Sequence, residues 1–299
     1  MAQPTIWTLV LAAGAGRRLA EVTGGVPKQF WQGGGGPSLL RQTIDRFTPL
    51  APRARTVVVV DAGHRAHYSA ADIGDWVPDL LLQPLDRGTA AGVLLALMPV
   101  LIQEPGAVVV ITPSDHGVLN EAVFRSGVLK AAREAAARDA VVLCGVEPEE
   151  AHTDYGWISL GDPFGANGLR GVVSFTEKPR REDATRLLAS GAVWNTMIIV
   201  ARARTLWGLY RDQLPGLARS FARAFDLGDA ARKAYFENNY SALPMHDFSR
   251  DLLTRAEGLS ALVWPATIGW SDLGTPQRLS DWHRGAPARR SGGQVISAA

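Results

Sequence analysis

Five short runs of β-branched and aliphatic residues constrain this chain more than any other feature: Ile6–Leu11, Thr56–Val60, Leu80–Gln83, Val108–Ile111 and Ala140–Val146. Helix-like stretches over Ser38–Phe47, Thr89–Leu101 and Asn120–Arg138 lie among them. The runs are apolar throughout rather than alternating with polar residues. Strands of that kind bury both faces, and a parallel sheet covered by helices on each side satisfies them. Ligands of such sheets sit beyond the carboxyl ends of the strands. Gly14, Gln83 and Asp115, each at or just past a strand end, are therefore expected to converge on one cleft.

The second half reads differently. Tyr155–Leu160, Leu169–Thr176 and Val193–Val200 are expected strands with turns between them. A helix-rich block over residues 203–238 and 246–257 follows, and a last strand, Leu259–Pro265, leads into Trp270. No linker or internal repeat divides the chain, so the second half is expected to add to the first. The glycines Gly33–Gly36 read as a flexible turn and the residues from 285 onward as a loose tail.

Totals exclude several classes. With 299 residues, 46% of them apolar, the chain can bury the core of one large α/β unit. A formal charge of +2 is too small for a nucleic-acid-coating surface. No run of about 18 apolar residues offers a membrane span. The N-terminus enters a strand with no basic stretch before it, unlike a signal peptide. The single cysteine, Cys144, reads as a buried strand thiol in a protein of the reducing cytoplasm.

Chemistry concentrates in a few segments. Gly14-Ala15-Gly16 follows the first strand, where backbone N–H groups can approach a phosphate; the rival reading is a tight turn without a ligand. A dinucleotide fingerprint is incomplete, because the third glycine is missing and Asp61 stands too far on. Arg17, Arg18 and Lys28 place cations beside the glycines, as a polyphosphate site would, or as solvated surface would. Lys28 has the less ordinary setting, between Pro27 and apolar Phe30 and Trp31. Asp115 and Asp272 each end a distinctive segment. Each suits Mg²⁺, which takes one or two carboxylates plus phosphate oxygens. Asp115 could also form a turn, and Asp272 could cap a helix begun by Thr275-Pro276. His116, without a spaced partner, reads as a turn residue. Glu177 and Lys178 follow one another at a strand end, so their side chains should diverge. Asn195, in an apolar strand, needs a polar partner.

These segments together resemble the sugar-phosphate nucleotidyltransferases, most closely the mannose-1-phosphate guanylyltransferases. The resemblance rests on Leu11-Ala12-Ala13-Gly14-Ala15-Gly16-Arg17-Arg18-Leu19, Pro27-Lys28-Gln29-Phe30, Gly88-Thr89-Ala90-Ala91, Pro113-Ser114-Asp115-His116, Tyr155-Gly156-Trp157-Ile158, Phe175-Thr176-Glu177-Lys178-Pro179, Trp194-Asn195-Thr196 and Gly269-Trp270-Ser271-Asp272-Leu273-Gly274. It implies an α/β fold with a Rossmann-like, mixed but mostly parallel sheet flanked by helices and an added sugar-binding lobe; no C-terminal β-helix is expected in a chain of this length. It implies one nucleotidyltransferase domain over 1–284, with a nucleotide part to about residue 145 and a sugar part beyond. By the same resemblance, Arg18 and Lys28 act on the phosphates. Leu11, Ala13, Gly14, Gly16, Gln83, Gly88 and Thr89 bind the nucleotide. Gly156, Glu177, Lys178 and Asn195 hold the sugar phosphate, and Asp115 and Asp272 hold Mg²⁺. The implied reaction joins a nucleoside triphosphate, GTP favoured, to a sugar-1-phosphate, mannose-1-phosphate favoured, and releases pyrophosphate. It leaves room for a homodimer.

Two departures stand out: Arg17 occupies a position where the family usually has threonine, and the β-helix or isomerase extension of many members is not expected in 299 residues. The opening motif is also similar to cytidylyltransferases of isoprenoid synthesis, which lack the Glu177-Lys178-Pro179 and Trp270–Asp272 segments. Two other classes compete, an inactive binding protein of the same fold and a nicotinamide oxidoreductase. The retained Arg18, Lys28, Asp115 and Asp272 disfavour the first, and the incomplete fingerprint the second.

Overall fold

Residues 3–70, 79–164 and 168–284 are described by the computed structural model. The expected tail from residue 285 and the Arg17 side chain lie outside the described residues. The strands β1 (Ile6–Ala12), β2 (Thr56–Asp61), β3 (Asp79–Gln83) and β4 (Val108–Pro113) pair in parallel in the order β3-β2-β1-β4. Their side chains alternate across the pleat. Trp7, Leu9, Val109 and Ile111 face one core layer, while Ile6, Val108 and Val110 face the other. Both layers are packed with apolar side chains, which is why these strands are apolar over most of their length. The helix Thr89–Gln103 covers the first layer and the helix Glu121–Arg138 the second. Leu40 and Ile44, on the helix Leu39–Phe47, close a third cluster over Val10, Ala12, Val58 and Val60. Ser38 and Asn120 cap their helices by accepting from Arg41 N and Val123 N.

Beyond β4 the sheet becomes mixed. The remaining strands are β5 (Gly117–Val118), β6 (Val142–Val146), β7 (Gly156–Phe164), β8 (Leu169–Glu177), β9 (Val193–Arg202), β10 (Ser260–Trp264) and β11 (Trp270–Ser271). β9 runs antiparallel between β4 and β6, so a strand of the second half sits inside the sheet begun by the first. β10 continues parallel to β6, and β8 and β7 follow antiparallel. Near its start β9 also pairs with β7, so the pairings β9-β6-β10-β8-β7 close into a circuit. β5 and β11 form a separate two-stranded ribbon.

A bulge interrupts β9 opposite Cys144 and Gly145. There Met197 takes a left-handed φ of 60°, and the Thr196 hydroxyl donates to Cys144 O at 2.7 Å. Cys144 itself is buried, and burial pushes its thiol well above the ordinary range.

The helix-rich block is more broken than the sequence suggests. It comprises Ala203–Gln213, Pro215–Ala222 and Asp229–Asn239, and then a single turn, Phe248–Asp251. Pro215 forces Leu214 out of the helical region, to φ −128° and ψ 56°. Arg181–Ala189 is a further helix that the sequence reading did not place. Among the described residues no β-helix occurs, and no helix is long and apolar enough to cross a membrane.

Candidate active site

The chain leaves β1 at Ala12 and turns through partly buried Ala13, exposed Gly14 and Gly16. Gln29 shapes this loop from below, its Nε2 donating to Ala12 O at 2.8 Å and to Gly14 O at 2.9 Å. Above Gly14 a Cβ would meet nothing within 4 Å, so a ligand has access to the backbone. Gly16 is different: its φ is +60°, and a Cβ there would stand 2.9 Å from Lys28 N, so only glycine fits. Leu11 O accepts from Ser114 N at 3.1 Å, tying the loop to the end of β4.

Lys28 is buried, with 6% exposure. Its Nζ lies 3.1 Å from Asp115 Oδ2 and donates to the Asp272 carbonyl. The ribbon makes this convergence possible, because the pairings Gly117↔Ser271 and Val118↔Trp270 bring the two distant acidic segments side by side. Asp115 keeps 30% of its side chain exposed. Asp272 Oδ1 accepts from Gly274 N at 3.1 Å and from Arg278 Nη1 at 3.0 Å. Thr275, not Asp272, caps the helix Pro276–His283 through Arg278 N. Burial pushes the Asp272 carboxyl up, but His116, the Arg278 guanidinium, the Gly274 N–H and the Tyr155 hydroxyl outweigh it and hold its pKa below the usual value. His116 packs edge-on against Trp270 at 5.3 Å. Burial lowers its pKa to about 4, so it is neutral near pH 7.

Arg18 is not brought into this cluster. It is exposed and pairs with Asp154 at 3.2 Å. On the far side of the loop, Gln83 is buried and its Nε2 donates to Leu85 O at 3.0 Å. Gly88 has φ +78°, and a Cβ there would overlap the His246 carbonyl oxygen. The Thr89 hydroxyl donates to Asp247 Oδ2 at 3.3 Å and accepts from Phe248 N at 2.7 Å. Gly88 and Thr89 are thus fastened to the 246–248 segment. Gly88→Ala should therefore destabilise the fold by about 1–3 kcal/mol through backbone strain and overlap. Thermal or denaturant unfolding of the variant checks this; a parental midpoint would show that the 246–248 segment yields freely.

Glu177 and Gly156 face each other across the β7–β8 pair. A Cβ at Gly156 would stand 2.8 Å from Glu177 Oε2, so the glycine makes room for the carboxylate. Burial pushes the Glu177 carboxyl up, and Lys178 only partly offsets it. The side chains of Glu177 and Lys178 do not diverge as the sequence suggests. Lys178 adopts a left-handed φ of 47°, and its Nζ returns to 3.5 Å from Glu177 Oε1. Strand alternation fails at that residue because it already lies beyond the strand end. Asn195 is buried at the bulge, with Oδ1 accepting from Met197 N at 3.2 Å. A cavity of about 590 Å³ beside Trp264 shares no residue with these clusters, and among the described residues Lys130 is the one charged side chain lining it.

The chain as a whole is similar to known proteins. The profile of the nucleotidyl transferase family matches residues 7–288. The chain belongs to that family. Xanthan biosynthesis protein XanB of Xanthomonas campestris pv. campestris is 30% identical over 279 residues, covering 91% of this chain and 58% of that protein. Mannose-1-phosphate guanylyltransferase 2 of Escherichia coli O157:H7 is 28% identical over 299 residues, covering 94% and 60%. The chain thus spans somewhat under two thirds of the length of these relatives. A crystal structure from Thermus thermophilus, described as a mannose-1-phosphate geranyltransferase, superposes with a TM-score of 0.79 at 29% identity, covering 90% of this chain and 76% of that one.

For this member of the nucleotidyl transferase family, sequence reasoning missed Gln29 as the brace of the loop, Asp247 behind Thr89, and the pair Tyr155 and Arg278 around Asp272. Gln29 was within reach, being the one polar side chain next to Lys28 in an apolar segment. Arg278 carried no signal, since an arginine in an amphipathic terminal helix reads as solvated charge.

Proposed function

We propose that this chain transfers a nucleotidyl group from a nucleoside triphosphate to a sugar-1-phosphate, with GTP and mannose-1-phosphate as the substrates and the cytoplasm as its place of work. The observation that carries this reading is the buried Lys28 ammonium, shared by Asp115 and the Asp272 backbone at the mouth of an open glycine loop. The guanine and mannose assignments draw on the names of the relatives.

A sugar-phosphate oxygen attacks the α-phosphorus. The new P–O bond forms as the bond to the β-phosphate oxygen breaks, and pyrophosphate leaves with that electron pair. The attacking oxygen is already anionic, so no general base is needed, and neutral His116 is not asked to be one. Two polyanions must instead be aligned and neutralised, and alignment alone can contribute about 7–11 kcal/mol. Lys28 supplies a fixed cation at the α-phosphate, and the loop N–H groups bind the outer phosphates.

Asp115 and Asp272 suit Mg²⁺. Among the described residues no third histidine, cysteine or acid completes a metal cage, so phosphate oxygens and water would supply the other ligands, as that ion prefers. Bound there, Mg²⁺ would offset phosphate charge and ease departure of pyrophosphate. Glu177 and Asn195 accept from and donate to sugar hydroxyls, and Lys178 meets the sugar phosphate.

The purified chain is expected to release pyrophosphate from GTP only when mannose-1-phosphate and Mg²⁺ are both present. A panel of nucleoside triphosphates and sugar-1-phosphates read by a coupled pyrophosphate assay tests this, and silence with every pair would overturn it. Within that assay Glu177→Gln should lower kcat/KM for the sugar phosphate roughly tenfold to a hundredfold, since a hydrogen bond to a charged acceptor is worth about 1.5–3 kcal/mol. Equal weakening of GTP binding would show that Glu177 does not belong to a sugar half of the cleft.

A further inference from the structure

Asp272 is gripped asymmetrically. Two donors, Gly274 N and Arg278 Nη1, close on the same oxygen, Oδ1. The other oxygen lies over Gly274, where a Cβ would overlap it. Arg278 is itself held: it donates to the Tyr155 hydroxyl, its guanidinium stands 5.7 Å from the Tyr155 ring centroid, and its Nη2 lies 3.8 Å from Glu150. The capped first turn of the helix Pro276–His283 fixes its backbone. Tyr155 immediately precedes β7, and its carbonyl accepts from Lys178 N at 3.2 Å.

A carboxylate torsion is broad and two-fold, so an unsupported Asp272 would not present one chosen oxygen to the cleft. We propose that Arg278 is a positioning residue: it locks the Asp272 carboxylate through Oδ1, turns Oδ2 toward a divalent cation, and links that carboxylate through Tyr155 to the strands carrying Gly156, Glu177 and Lys178. The inference rests on Asp272 being a cation ligand. It does not make Arg278 a group that touches substrate. A planar guanidinium reaches Asp272 and Tyr155 together, whereas a lysine ammonium at the same position offers a single point of charge. Partners that orient metal ligands typically change metal affinity by about 10- to 100-fold when removed.

The experiment compares calorimetric GTP affinity with Mn²⁺ and with EDTA for the unaltered chain, Arg278→Ala, Arg278→Lys, Tyr155→Phe and Asp272→Asn. Arg278→Ala is expected to weaken Mn²⁺·GTP binding roughly 10- to 100-fold while GTP binding in EDTA stays within about twofold. Arg278→Lys should recover part of the loss, and Tyr155→Phe should lose roughly threefold to tenfold. Turnover of Arg278→Ala should recover as Mg²⁺ is raised, with KM for the sugar phosphate unchanged. A merely structural ion pair would lower the melting temperature and leave the difference between Mn²⁺ and EDTA intact, and that result overturns the proposal. If Arg278→Ala does not fold, parental Mn²⁺·GTP affinity in both Arg278→Lys and Tyr155→Phe overturns it. Parental affinity in Asp272→Asn would instead remove the cation assignment beneath it.

Discussion

Lys28→Ala is expected to cut kcat roughly a hundredfold to a thousandfold, the usual cost of losing one preorganised donor to developing charge, while KM for either substrate moves little. The asymmetry follows from the burial of Lys28 and from its two partners. An ammonium held in a poorly solvated slot acts most strongly where charge grows, in the transition state rather than on binding. Lys28→Arg should not restore the rate. The ammonium sits between Asp115 Oδ2 and the Asp272 carbonyl, and a planar fork cannot place its charge where a compact ammonium does. Stability should suffer less than rate, because Asp115 keeps 30% exposure and water can replace its partner. Steady-state kinetics with both substrates varied measure this; an unchanged kcat in a folded Lys28→Ala protein would refute the role.

Replacement of Asp115 or Asp272, the proposed Mg²⁺ ligands, should cost at least as much. A bound divalent cation is worth several kcal/mol to a phosphoryl transition state, so Asp115→Asn and Asp272→Asn should each lose on the order of a hundredfold to ten-thousandfold in kcat. Chelation should abolish turnover, and full activity in excess EDTA would end the metal assignment. The Asp272 variant should also respond to acid. The Asp272 carboxyl is held below its ordinary pKa in the folded chain, so its ionised form adds stability that is present above the unfolded value and fades as pH falls through the folded one. Asp272→Asn should therefore be less stable than the unaltered protein at neutral pH, and the gap should narrow in acid. Urea unfolding at several pH values reads that gap directly.

Much of the fold was legible because its signal is local. The runs around Leu9, Val58 and Val109 are apolar on both faces, and only a covered parallel sheet uses such runs. The position of β9 was not legible, since no local pattern says that a strand from the second half will enter between β4 and β6. The site divides in the same way. Gly16 and Lys28 are written into one short segment, and their meeting follows from a tight turn. The meeting of Asp115 with Asp272 depends on a ribbon of two residues per strand, too short for any periodicity. The Arg18 side chain shows the limit of reading charge by proximity in sequence, because it turns to Asp154 rather than to the phosphate loop.

The insertion of β9 sets an order of assembly. A ribosome releases β4 and β6 long before Arg202 completes the strand that joins them. Until then two central strands offer unpaired backbone edges, the kind of surface that recruits other chains and calls for chaperones. The contacts that close the gap are distant in sequence, so loop-closure entropy slows that step. A break near residue 145 would thus not yield two self-sufficient halves: the first fragment would keep an open seam through its middle, and the second would carry the strand meant to fill it.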